Sequence, residues 1–210
     1  MHITDPENGA VHTYEPGDPV PSGATGFVRD VFMSLQYLSK SSTAQRMIRE
    51  LCEDPKRVSI VWTADPHGSA YEGSTHVVAY CSIAGHGTKN GYQTPALGLL
   101  HELGHAHLQS RTPIKALVLG MIAWPQYSDL NERYVIRRFE TPAADELGET
   151  GTRTGHNGTP YLTQGPTTTC AMYDPQWTPD QVQHKENDPL VDALLWASRK
   201  TTAMIRRLVL

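Results

Sequence analysis

The sequence predicts a single α+β domain, and three observations point there. Its 210 residues, divided by about 150 residues per domain, give one domain or at most two small ones. Hydrophobic residues make up 39% of the chain, and 17 Gly and 15 Pro leave it well short of a disordered composition. Runs rich in β-branched residues at 58–63 and 75–83 lie between segments whose apolar residues recur at helical spacing. The net charge of -4, from 18 basic and 22 acidic residues, excludes a strongly basic nucleic-acid binder. Three separated cysteines, Cys52, Cys81 and Cys170, form no C-x-x-C pair. Reduced thiols are therefore expected, not a disulfide framework or a cysteine metal knuckle.

Residues 1–26, rich in Pro, Gly and acidic side chains, read as a polar arm with a short strand at His12-Thr13-Tyr14. Phe27, Val28, Val31, Phe32, Leu35 and Leu38 then mark an amphipathic helix. Ser41 or Ser42 caps a second helix through Ala44, Met47, Ile48 and Leu51, ending near Pro55. After the two strands, Thr94-Pro95 opens a helix carrying Leu97, Leu100, Leu103 and His107. The apolar run 116–124, stopped by Pro125, reads as core; it is far shorter than the roughly 20 residues that span a membrane. A helix at 134–147 ends near Gly148, residues 149–189 read as loops and short strands, and a final helix is expected at 189–209. The expected organisation is a polar arm at 1–26, a catalytic domain at 27–165, and a polar loop plus C-terminal amphipathic helix at 166–210 packed on the same domain.

The ten histidines are not all scattered. His101-Glu102-Leu103-Gly104-His105 matches H-E-x-x-H on the predicted helix, against a chance expectation of roughly 0.02 matches. Residues four apart lie one turn apart on one helix face, so His101 and His105 can direct ring nitrogens at one Zn²⁺. Glu102 lies beside that face, placed as the general base that takes a proton from water activated by the metal. Gly104 costs about 1 kcal/mol relative to Ala inside a helix, which points to another element passing close by. This pattern predicts a zincin-like architecture: a small mixed sheet, with the H-E-x-x-H helix packed against a second, ligand-bearing helix.

The third ligand should come from downstream. Leu108 and Arg111 stand where the longer metzincin motif needs Gly and His, and His107 lies on another face of the helix. The candidates are Asp129, Glu132, Glu140, Asp145, Glu146, Glu149 and His156. Glu140 is the choice, because Ala144 shares its helix face and a small residue lets two helices approach; Glu146 is second. Asp145 and Glu149 read as a solvated face.

With these residues in view, the chain resembles a family of zinc metalloprotease effectors that bacterial pathogens inject by type III secretion, some members of which cleave mitogen-activated protein kinases. The likeness covers residues 26–160. It comprises the helix pair before Asp54, the two strands, Pro95 leading into Leu100-His101-Glu102-Leu103-Gly104-His105-Ala106, a downstream Glu, then Glu146-Leu147-Gly148 and Arg153. Here Glu140 is followed by Thr141-Pro142, where members often carry two acidic residues or an Asn. The resemblance implies a zinc-dependent endopeptidase delivered by a non-Sec route into a target cell. The first residues indeed have no basic-then-apolar signal pattern.

In such an enzyme a protein substrate adds as an extended strand to a sheet edge. The strand at 77–83, with Val77, Ala79 and Ser82, is the expected edge. A donor beside the metal should stabilise the oxyanion; His156 and Tyr161 rank ahead of Arg153 and Tyr134. A zinc hydrolase of a non-peptide or cell-wall substrate, or a non-catalytic metal-binding module, are the competing readings. Neither a nucleic-acid partner nor an integral membrane segment is expected.

Overall fold

The N-terminal segment, expected as a polar arm, contributes two strands to the main sheet. In the computed structural model, which describes residues 1–65, 69–151, 153, 155 and 159–171, β1 (His2–Thr4) pairs with β2 (Val11–Thr13) and, in parallel, with β3 (Ser59–Trp62). β3 continues in parallel to β5 (Val77–Tyr80), and β4 (Ala70–Glu72) closes the sheet antiparallel to β5, giving the order β2-β1-β3-β5-β4. The register explains why the arm is drawn in. Ile3 lies opposite Ile60, and Ile60 opposite Val78; all three are fully buried and form one apolar row on a single face of the sheet. Met1 and Tyr14 are buried beside them.

That face is covered by helices. α1 (Gly26–Leu38) and α2 (Ser42–Glu53) turn their periodic apolar residues inward, and the Ser41 hydroxyl caps α2 by accepting from the Ala44 amide. α3 (Pro95–Arg111) runs against α1, α2, β4 and β5. Its buried residues lie on every side, from Leu97 and Leu99 through Leu100, Leu103 and Ala106, as expected of a helix enclosed by the core. A three-stranded sheet of β6 (Ala84–Thr88), β7 (Gly91–Gln93) and β10 (Thr159–Leu162), in the order β10-β6-β7, flanks its start.

α4 (Pro113–Gly120) and the small hairpin of β8 (Ala123–Trp124) and β9 (Ser128–Asp129) follow. The expectation that 116–124 is core fails here. Of the α4 residues only Ala116 is buried, while Ile114, Leu117 and Val118 stand in solvent, because the apolar face of this helix turns away from α3 and α5. α5 (Leu130–Val135), a π-helical turn (Ile136–Glu140) and α6 (Thr141–Leu147) then form one helical path. Gly148 ends it with φ 73°, a left-handed cap position suited to glycine. This path starts four residues before the expected helix at 134. All described residues fall in one unit, Met1–Ala171. The expected helix at 189–209 and His156 lie outside the described residues.

Gly104 explains how α3 and α5 approach. A Cβ at that position would meet Val135 Cγ1 at 2.7 Å and Phe139 Cδ2 at 3.3 Å. Gly104→Ala therefore sets about 1 kcal/mol of gained helix propensity against an overpacking cost of about 1–3 kcal/mol. The expected outcome is a melting temperature lowered by a few degrees and recovered in Gly104→Ala/Val135→Ala, read by thermal unfolding. A single variant at least as stable as the parent would contradict this packing.

Candidate metal centre

The start of α3 is set by its neighbours. Thr94 accepts the Leu97 amide through its hydroxyl, and Glu149 accepts both the Thr94 amide (2.9 Å) and the Thr94 hydroxyl (2.8 Å). The Tyr37 hydroxyl donates to the same carboxylate at 2.9 Å. Glu149 thus clamps α3 to α1 and is not part of a solvated face. Two turns on, His101 and His105 project from one side of α3, with their Nε2 atoms 3.1 Å apart.

The carboxylate that meets them belongs to Glu132. Its oxygens lie 3.2 Å from His101 Nε2 and 3.0 Å from His105 Nε2. Asp129 fixes that position by accepting the Glu132 amide at 2.9 Å, an N-cap that starts α5 and places Glu132 in its first turn. Among the described residues, His101, His105 and Glu132 form a group whose ligand atoms all lie within 4.8 Å of one another. A tetrahedral ion with ligands at about 2.0–2.1 Å separates them by about 3.3 Å, close to these spacings.

The hydrogen bonds around the rings support the same reading. His101 Nδ1 lies 2.8 Å from Glu140 Oε2, and His105 Nδ1 lies 3.1 Å from Asn131 Oδ1. Each Nδ1 faces an acceptor that can hold its proton when a metal binds, which leaves the two Nε2 atoms as the ligand atoms facing the same point. His101, His105 and Glu132 can therefore hold a metal ion.

Glu140, the expected third ligand, sits behind His101 instead. Gln93 Nε2 donates to its Oε1 at 2.8 Å and Arg153 Nη1 to its Oε2 at 3.3 Å. The reason lies in the π-helical turn. In an uninterrupted α-helix, residues eight apart point about 80° away from each other. A π turn adds about one residue and removes most of that offset, so Glu132 and Glu140 both face His101, one at each ring nitrogen. Pro142 accounts for the widened turn, since it has no amide to donate and its ring crowds the carbonyl of Arg138. Glu146, the second choice, is exposed and accepts from Ser41, Thr43 and the Thr43 amide at the start of α2; those bonds hold its carboxyl down at about 2. Asp145 is exposed on α6.

Glu102 Oε2 accepts the Tyr71 amide at 2.8 Å. Tyr71 lies in β4, so the open edge beside α3 belongs to β4. The expected edge strand, β5, is paired on both sides, by β3 and β4. Val77 and Ala79 are interior-strand residues, and the Ser82 hydroxyl donates to Asp30 at 2.8 Å. The β-branched run at 75–83 identifies a strand but cannot show that Ala70-Tyr71-Glu72 pairs beyond it as the edge. Tyr161, on β10, donates its hydroxyl to the Thr169 carbonyl at 3.0 Å and packs edge-on against Tyr92. Of the other donor candidates, Arg153 holds Glu140, and the Tyr134 ring packs under Lys115 Nζ. His107 pairs with Glu50 and packs on Phe139.

The charges are strongly coupled. Burial opposes the His101 cation, but the bonds from Glu132 and Glu140 outweigh it and hold its pKa up at about 10. Burial likewise works against ionised Glu132 and Glu140. The two histidines pull Glu132 below the carboxylate range, and Arg153 with His101 pulls Glu140 down. Without metal, a proton supplies the positive charge that this carboxylate pair demands. Glu102 moves the other way, raised by burial.

Glu132→Ala is expected to weaken metal binding by about a hundredfold or more, and Glu140→Gln by about 10–100-fold, as an orienting residue does. Metal titration of the purified variants checks both values, and Glu132→Ala at parental affinity would contradict the ligand set. No protein-family model, curated protein or solved structure matches the chain.

Proposed function

We propose that the protein is a zinc-dependent endopeptidase of the gluzincin kind. The observation that carries this reading is one helix presenting two imidazoles to Glu132 while placing Glu102 against the backbone of a sheet edge. Two imidazoles and one carboxylate suit Zn²⁺, and three protein ligands leave a position open for chemistry. Bound zinc would supply Lewis acidity toward water and a substrate carbonyl.

The chain's own residues supply the rest. Glu102 accepts the proton of the attacking water and passes it to the departing amine. Its raised pKa suits a group that must take up and then release that proton. The Tyr71 amide holds one Glu102 oxygen in place, leaving the other free to turn toward the centre. A substrate segment lying along β4 as an added strand would bring its backbone beside the same carboxylate. Glu140 and Asn131 orient the two imidazoles throughout. Together with the resemblance of residues 26–160 to injected effector proteases, this makes a protein of a target cell the proposed substrate. No helix among the described residues is long and apolar enough to cross a membrane.

The test compares zinc-loaded parent with Glu102→Gln in a cell lysate, mapping new peptide termini. The parent is expected to create termini at defined sites, and Glu102→Gln to lose about 10²–10⁴ of the rate at unchanged zinc content. Equal cleavage by both proteins, or no new termini with the zinc-loaded parent, would refute the assignment.

A further inference from the structure

α4 reverses the usual arrangement of a surface helix. Ile114, Leu117, Val118 and Met121, spaced i, i+3, i+4 and i+7, form one face of it and are 79%, 67%, 49% and 77% exposed. Ile122 and Trp124 extend this ridge into the β8–β9 hairpin. Exposed apolar surface that continuous marks an interaction site.

A basic margin borders the ridge. Arg133 lies 5.1 Å from the centroid of the Trp124 ring, and Lys115 lies over Tyr134. Beside them, a shallow cavity of about 330 Å³ is lined by Leu119, Leu130, Tyr134 and three arginines, Arg133, Arg137 and Arg138. Among the described residues, no carboxylate forms an ion pair with these arginines. The acidic residues of this region are already engaged: Asp129 caps α5, Glu132 faces the histidines, and Glu50, which lines a second cavity with Arg138, pairs with His107. A chain with a net charge of -4 thus concentrates unpaired positive charge next to this apolar ridge.

We propose that α4 and the β8–β9 hairpin dock peripherally on an anionic lipid bilayer. The aliphatic ridge enters the acyl boundary, and Arg133, Arg137 and Arg138 face the headgroup phosphates. Charge complementarity selects this occupant: aliphatic side chains flanked by arginine and an amphipathic Trp match the layered chemistry of a membrane surface. The docking is independent of the proteolytic reading, since none of these side chains belongs to the metal centre.

The experiment is vesicle flotation of the full chain. Vesicles of phosphatidylcholine with about 30% phosphatidylserine provide the negative surface, and pure phosphatidylcholine is the comparison. The protein is expected to float with the anionic vesicles, weakly with the neutral ones, and less at raised salt. Met121→Asp, and separately Arg137→Glu/Arg138→Glu, should each lower partitioning about tenfold or more while keeping the parental melting curve. A charge-preserving Arg137→Lys/Arg138→Lys variant should retain most of it. Absence of flotation overturns the proposal, as does flotation that neither variant reduces. A dimer in solution that Met121→Asp converts to monomer, without flotation, assigns the ridge to a second copy and also overturns it. Capture of an acidic protein that Arg137→Glu/Arg138→Glu abolishes, again without flotation, does the same.

Discussion

The site depends on where two imidazole protons sit. Glu140 and Asn131 can accept hydrogen bonds from the Nδ1–H groups of His101 and His105, which leaves both Nε2 atoms as the ligand atoms facing the space beside Glu132. If either ring carried its proton on the other nitrogen, the group would lose a ligand without losing a residue. Much of the fold serves this arrangement. α3 is enclosed on all sides, Thr94 and Glu149 fix where it begins, and Gly104 lets α5 come close enough for Glu132 to reach across.

The helical path from α5 to α6 adds a second constraint. A regular helix would present Glu132 or Glu140 to His101, not both. The π-helical turn ahead of Pro142 supplies the extra residue that turns the second carboxylate to the rear of the ring. The same short path therefore carries a metal-facing carboxylate and the carboxylate that orients His101. Arg153 then balances the charge of Glu140 in its buried position, and Gln93 from β7 donates a hydrogen bond to it.

The legibility of these features in the sequence follows their range. The α3 pattern, its Thr-Pro start and the H-E-x-x-H spacing are local, so the helix and its two histidines could be read directly. Gly104 was informative because a costly residue in a helix interior implies a close neighbour, and Val135 is that neighbour. The acidic partner was not readable in the same way. A helical wheel drawn from 134 omits the Asp129 cap that begins the helix at Leu130, and it cannot represent the π turn. Glu132 was among the candidates, and Asp129 three residues before it was the signal that a helix started there. The sheet was harder still. β1 is short and set among polar residues, so only its pairing with β3 reveals it as interior. The edge strand β4 is too short to show any alternation.

His101, His105 and Glu132 are placed to hold one metal ion between them. X-ray absorption spectroscopy of the zinc-loaded full chain tests this most directly. Two imidazole nitrogens with oxygen ligands and no sulfur are expected around the zinc, with the two-imidazole signal reduced to one in either His101→Ala or His105→Ala. A sulfur ligand, a single imidazole in the parent, or a spectrum unchanged by both substitutions would contradict it.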